Sequence, residues 1–311
     1  MATGGRPRGG RHVPRHARAG RGGGRGRPRA GRPGVVHVSD GAVILDRDGV
    51  ALHVVAEGEG ETVVLLHGHT LDVRVWDEVV PALVAAGLRT IRYDQRGHGR
   101  SASPPSGYRW GDHAADLAAV ITRVAGGPAH VVGLSKGGGI ALELAVRRPE
   151  LVRTLALIGP LVPDAPLSPE LLASFKALAK AIRADGPRAA MSELWLAHPL
   201  IASAAARPDA RGRLEAMLRT FPAGEYLATV RDAPDREWTL TDRLNEVAAP
   251  TLIVRGASEV PDFVSNAEFL ARNMPRARLV VVPDSGHLVP LEQPAAVAAA
   301  LRAFLIIESR Q

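Results

Sequence analysis

Short apolar runs alternate along this chain with stretches in which apolar positions recur every three or four residues. The runs ETVVLLHGH, AHVVGLS, VRTLALIGP and APTLIVRG are apolar on consecutive positions and end at glycine, proline or serine. They predict strands buried on both faces. LRTIRYDQRGHGRS and ARLVVVPDSGH predict two more, each running into a loop. The stretches between have helical spacing: VWDEVVPALVAAG, ending at Gly87; WGDHAADLAAVITRVAGG, with Asp112 or Gly111 as the expected cap; KGGGIALELAVRRPE, ended by Pro149; NAEFLARNMP; and AAVAAALRAFLIIE. Near the start, GAVILDRDGVALHVVAEGEG predicts two strands joined at Asp48-Gly49. The alternation predicts an α/β fold, a mostly parallel central sheet flanked by helices. Loops leaving the C-terminal ends of such strands share one edge, where ligands bind.

Two segments break the alternation. From Leu161 to Ala249 the strand signal disappears, and SPELLASFKALAKAIRADG, RAAMSELWLAH and RGRLEAMLRTF carry helical periodicity. Ser168 before Pro169 and Glu170 is a helix start. This predicts a helical insertion over the sheet edge, residues 161–249, between two core halves, 35–160 and 250–311. Residues 1–34 hold ten arginines, no acid and no apolar run. They predict a disordered tail.

The tail changes how the charge is read. The chain of 311 residues has a formal net charge of +7, and the ten arginines exceed it by three. Residues 35–311 are therefore mildly acidic. An RNA-binding arm would need aromatic residues for base stacking, and the tail has none. Nucleic acid is thus not the expected partner. No stretch reaches the roughly 18 apolar residues of a membrane span, and residues 1–34 lack the apolar run expected of a secretory signal. The expected location is cytoplasmic, with a small molecule as partner. Cysteine is absent, which excludes thiol chemistry.

Candidate chemistry sits at one strand-to-helix corner. Gly133-Leu134-Ser135-Lys136-Gly137 matches G-x-S-x-G, with a predicted strand before it and a helix after it. Glycines on either side of the central residue relieve a crowded turn. A serine hydroxyl needs a base, and the base needs an orienting acid. His287, in VVPDSGHLVPLEQP, follows the last predicted strand and so falls on the same edge. The acid is expected from the loop after APTLIVRG, where Glu259 and Asp262 are available and Glu259 is favoured. Asp164, after an earlier strand, is the remaining alternative. Two backbone N–H donors are expected for a tetrahedral oxyanion, from Lys136 and from His69 in the loop after VVLLHGH.

Taken together, VVLLHGHTLDVRVWDEVVPAL, RYDQRGHGRS, VVGLSKGGGIALELAVRRPELV, PTLIVRG and DSGHLVPLEQP resemble the α/β-hydrolase superfamily. The similarity is greatest to its capped serine esterases and lactonases, including the 3-oxoadipate enol-lactonase-like and cofactor-free perhydrolase groups. It spans residues 40–311. The resemblance implies a triad of Ser135, Glu259 and His287, oxyanion donors His69 and Lys136, and residues 161–249 as the cap. The chain departs from the family at Glu259, where Asp is usual, and at Lys136, where an apolar residue is more common. The expected reaction is hydrolysis of a small ester or lactone through an acyl-enzyme, with no cofactor and no metal. C–C bond cleavage, amide hydrolysis and perhydrolysis use the same triad, and a non-turnover ligand-binding protein on this fold is the alternative of another class. Trp195, His198, Phe221, Tyr226 and Trp238 are the expected substrate-lining residues of the insertion. The Lys136 side chain is expected in solvent, or else facing the pocket to attract acidic substrates.

Overall fold

A computed structural model describes residues 42–308, together with Met1 and the backbone of Val35–His37. The tail expected over residues 1–34 lies, beyond Met1, outside the described residues.

The first strands form the predicted hairpin. β2 (Ala42–Arg47) pairs antiparallel with β3 (Val50–Glu57), and Arg47 faces Val50 across the turn. Asp48 and Gly49 both have positive φ, +53° and +84°, as a two-residue turn of this hand requires. A strand not foreseen from the sequence, β1 (Val35–His37), pairs antiparallel with β2.

The remaining elements follow in the expected alternation. They are β4 (Glu61–Leu66), α1 (Val80–Ala85), β5 (Leu88–Tyr93), α2 (Trp110–Ala119), β6 (Ala129–Leu134), α3 (Lys136–Arg147) and β7 (Val152–Ile158). Helices alone follow: α4 (Pro169–Asp185), α5 (Pro187–Ala190), α6 (Pro199–Ala205), α7 (Pro208–Leu218) and α8 (Gly224–Leu227). The chain then resumes with β8 (Thr251–Gly256), α9 (Pro261–Asn273), β9 (Ala277–Val282), α10 (Val289–Glu292) and α11 (Pro294–Glu308). The helix α2 starts earlier than expected. Its cap is Arg109, whose backbone N–H donates to the Asp112 carboxylate at 3.2 Å. Asp112 thus braces the start from inside the first turn.

The strand order is β1-β2-β3-β5-β4-β6-β7-β8-β9. Pairing is antiparallel from β1 through β5 and parallel from β5 to β9. β4 lies between β5 and β6, so the direction of winding reverses beside it. Connections from neighbouring strands diverge at such a reversal and leave a crevice. The loops after β4 and β6, which carry His69 and Ser135, leave the sheet there.

Side-chain alternation divides the core between the two sheet faces. Leu65, Val132, Ala156 and Val254 pack with Leu83 of α1 and Leu301 of α11. Leu66, Val131, Leu157 and Ile253 pack with Leu117 of α2 and Ile140 of α3. The first cluster continues into the inserted helices through Leu171, Leu178, Trp195 and Leu214. Each such side chain contributes about 1.5–3 kcal/mol when fully buried, so the insertion and the sheet share one apolar core. The helix α4 begins as expected at Ser168, whose hydroxyl accepts the Leu171 N–H at 3.2 Å.

Candidate active site

The corner after β6 is built by close backbone approach. Ser135 has φ +52° and ψ −115°, a strained conformation for a residue with a side chain. A Cβ on Gly133 would lie 2.4 Å from the Gly137 carbonyl oxygen, and one on Gly137 would lie 2.6 Å from that of His67. Both positions therefore exclude any larger residue. The strain is held from several sides. The Ser135 N–H donates to the Ile158 carbonyl at 2.9 Å, and the Ser135 carbonyl accepts from Gly138 and Leu161 at 2.9 and 3.1 Å.

Loops after β8 and β9 bring two further residues to this corner. Ser258 donates its N–H to Ser285 at 2.9 Å, and Ala257 donates to Val282 at 2.8 Å, which fastens the two loops together. Ser135 Oγ lies 2.9 Å from His287 Nε2, and His287 Nδ1 lies 2.9 Å from Glu259 Oε2. All three residues are buried. The second Glu259 oxygen accepts the Val260 N–H at 2.9 Å, and Phe263 meets the His287 ring edge-on at 4.4 Å. The other acids are engaged elsewhere. Asp262 accepts from the Ser168 N–H and hydroxyl at 2.6 and 3.0 Å, bracing α4. Asp164 accepts the Leu240 N–H and pairs with Arg236 at 2.6 Å.

His67 and Gly68 shape the loop after β4. His67 Nε2 accepts the Gln95 N–H at 2.9 Å, and a Cβ on Gly68 would stand 3.3 Å from Ser135 Cβ. His69 Nε2 meets the Tyr226 hydroxyl at 2.6 Å. Burial and the nearby Lys136 charge push its imidazole down to about 4, so it is neutral near pH 7. Among the described residues, no backbone carbonyl accepts the N–H of His69 or of Lys136.

Lys136 departs from the solvent position expected of it. Its side chain is buried, and its ammonium is paired with the Glu225 carboxylate of α8. Burial raises the Glu225 carboxyl, but the Lys136 charge, His69 and the Lys136 hydrogen bond outweigh it and hold the group below its usual range. A cation that already has a carboxylate partner is not a free attractor for acidic substrates.

A cavity of about 410 Å³ opens over Ser135 and His287, walled by Leu71, Trp110, Leu161, Leu167, Phe175, Trp195, Ile201, Lys136, Glu225 and Tyr226 among others. Of the five expected lining residues, the structure brings Trp195 and Tyr226 to this cavity. His198 stands behind Trp195, ring centres 4.4 Å apart, with its nitrogens bonded to Ser174 and Leu200. Phe221 is buried against His69 and His98. Trp238 lies away from the cavity, with the guanidinium groups of Arg147, Arg236 and Arg243 4.5–5.3 Å from its ring. Its indole belongs to an arginine cluster, not to a substrate wall. Among the described residues, no group of His, Asp and Glu is arranged to hold a metal ion, and no helix is long and apolar enough to cross a membrane.

Sequence reasoning missed two residues at this site, Glu225 and Glu292. The Glu225 pairing links positions 89 residues apart and has no local signal. Glu292 stands in the quoted LEQP run and accepts the N–H groups of Gly286 and Leu288 at 2.8 and 3.0 Å, plus the Ser203 hydroxyl. Its spacing from His287 was the available clue.

Comparison with known proteins bears on the fold. Residues 61–294 match the model of the alpha/beta hydrolase fold family. The chain belongs to the α/β-hydrolase fold family. Among curated α/β-hydrolase relatives it is similar to 2-(acetamidomethylene)succinate hydrolase of Mesorhizobium japonicum, 29% identical over 84% of this chain and 94% of that protein. Among solved structures it is similar to a thermophilic esterase from Thermogutta terrifontis, with 28% identity, TM-score 0.71 and coverage of 85% and 97% of the two chains. It is also similar to Est816, described as an N-acyl homoserine lactone degrading enzyme, with 30% identity, TM-score 0.67 and coverage of 83% and 98%.

Proposed function

We propose that this α/β hydrolase cleaves small carboxylic esters or lactones through a covalent acyl-serine. The observation that carries the proposal is the continuous chain from Ser135 Oγ through His287 to Glu259 at the base of the cavity, 2.9 Å at each step. Ser135 Oγ attacks the carbonyl carbon, and its proton passes to His287 Nε2. Glu259 accepts the Nδ1–H bond, which fixes the tautomer and stabilises the imidazolium. The N–H groups of His69 and Lys136 take the oxyanion, and the Lys136 group stands at the start of α3, where the helix dipole favours negative charge. The alcohol leaves with the proton from His287. Water, deprotonated by His287, then attacks the acyl carbon and releases the acid and Ser135.

The mainly apolar wall suits an acyl or alkyl group rather than a sugar or phosphate. The reactions named for the T. terrifontis esterase and for Est816 support ester and lactone substrates. The test is Ser135→Ala assayed on a panel of p-nitrophenyl esters. The expected loss is on the order of 10⁴-fold or more in kcat. Full retained activity would remove Ser135 from the reaction.

A further inference from the structure

Lys136 follows Ser135 directly and is the first residue of α3. Its side chain is 7% exposed, and that of Glu225 is 35% exposed. Both line the cavity that holds Ser135 and His287. An ammonium at this position, unpaired in an apolar pocket, would attract a carboxylate strongly, because little water screens it. Glu225 removes that attraction. It also sets a fixed negative charge on the wall, on the same cavity as the Ser135–His287–Glu259 chain.

The position of Glu225 is held by its neighbours. Tyr226 meets His69 Nε2 through its hydroxyl at 2.6 Å, and its carbonyl accepts the Arg183 Nε–H at 3.1 Å. Ala223 precedes the short helix with φ +56°. Gly224 donates its N–H to the Gly97 carbonyl at 3.3 Å, so the carboxylate is delivered to Lys136 by a segment fastened on both sides. Beyond the pair lies a second cavity of about 350 Å³, also bordered by Lys136 and Glu225. Its acids are already engaged, Asp164 with Arg236 and Asp235 with Arg147. Glu225 is accordingly the counter-ion that the structure gives Lys136. Arg183 also lines the active cavity, but it is an exposed guanidinium, and solvent screens it.

We propose that the Lys136–Glu225 pair selects uncharged substrates, and that Glu225 is the residue that turns anionic ones away. This rests on the reading of Ser135 as nucleophile. A substrate carboxylate entering the cavity must either displace Glu225 from Lys136 or lie unpaired beside it, and both lower kcat/KM. A neutral ester meets no such penalty.

The experiment compares matched esters that differ in one carboxylate. One pair is p-nitrophenyl pentanoate and the p-nitrophenyl monoester of glutaric acid, with the charge on the acyl side. The other is phenyl butyrate and 4-carboxyphenyl butyrate, with the charge on the leaving side. The wild type should favour the neutral member of each pair. Glu225→Gln keeps the shape, leaves the Lys136 ammonium without its counter-ion, and should move the anionic-to-neutral ratio of kcat/KM toward the anionic member by about tenfold or more in at least one pair. The double variant Lys136→Met with Glu225→Gln removes both charges and should bring the ratio back toward the wild-type value. Lys136→Met alone supplies the reading if Glu225→Gln fails to fold: it leaves the Glu225 carboxylate without its cation and should move the ratio further toward the neutral member, and an unchanged ratio there would overturn the proposal. An unchanged ratio in both pairs with Glu225→Gln, or an anionic preference already present in the wild type, would overturn the proposal. Loss of both substrates in equal proportion would also count against it, because that is the mark of a purely structural contact. Ser135→Ala assayed alongside separates the two levels. If it abolishes hydrolysis while the ratios stay fixed, the selectivity proposal alone fails; if it retains hydrolysis, the nucleophile reading fails.

Discussion

The Glu292 carboxylate holds His287 from both sides, accepting the N–H of Gly286 at 2.8 Å and of Leu288 at 3.0 Å. The same carboxylate accepts the Ser203 hydroxyl of α6, so one buried acid ties the histidine loop to the inserted helices. Hydrogen bonds to a charged group are worth about 1.5–3 kcal/mol each, and buried donors left without acceptors add to the loss. Glu292→Ala is therefore expected to lower stability by roughly 2–4 kcal/mol. It should also lower kcat by about tenfold or more, through misplacement of His287. Glu292→Gln keeps one carbonyl oxygen and should fall between. Urea unfolding and steady-state kinetics on the same preparations check both effects.

Gly159 is constrained by the same histidine. Its φ is +48°, and a Cβ there would stand 3.0 Å from both Glu259 Oε2 and His287 Nδ1. Gly159→Ala is expected to push the acid and the imidazole apart. The expected result is a fall in kcat of about tenfold or more with a smaller change in KM, because the apolar cavity wall is untouched. A variant with wild-type kcat would mean that the contact has room to relax.

The two acids of the loop after β8 have separable consequences. Glu259→Gln leaves His287 without a carboxylate partner and should reduce kcat by on the order of 10⁴-fold. Asp262→Asn weakens the bracing of Ser168 and α4, and should cost about 1 kcal/mol of stability while kcat stays within a few-fold of wild type. Assaying the two variants side by side on one p-nitrophenyl ester gives the comparison. Reversed effects would reassign the acid.

Acid should destabilise the fold before the carboxylates titrate. Burial and Lys136 lower the His69 imidazole to about 4, and burial and His287 lower that of His198 to about 4. In the unfolded chain both take up a proton near the ordinary value of 6.5. A folded value depressed below the unfolded one means that the unfolded state binds more protons in between. The stability these two groups contribute is then fully present above about pH 6.5, falls as pH drops, and is exhausted below about pH 4. Together the two groups contribute on the order of a few kcal/mol to the loss, solvent screening reducing the share of His198. Urea unfolding between about pH 7 and pH 4 should show the slope, and His198→Asn should reduce it.

Much of this site was legible in the sequence because its signals are local. The glycines around Ser135 encode a backbone clash that any larger residue would create. The Asp48-Gly49 turn, the strand runs and Ser168 likewise act over a few residues. His287 could be placed because its loop follows a strand, and strand ends share an edge. What escaped depends on long-range placement. Lys136, expected in solvent or else facing the pocket, is buried at the cavity, and the carboxylate that makes this burial tolerable is 89 residues away. Trp238, expected among the substrate-lining residues, is instead surrounded by three arginines. The cap of α2 is Arg109 and not the expected Asp112 or Gly111, because Asp112 braces the helix start from three residues beyond the cap.

A Ser135 nucleophile activated by His287 should react with a fluorophosphonate, and mapping the modified peptide identifies the labelled residue. A single phosphonylated residue is expected, Ser135, in the peptide that spans HVVGLSKGGG, with labelling lost in His287→Ala. Modification at another residue, or undiminished labelling of Ser135→Ala, would contradict it.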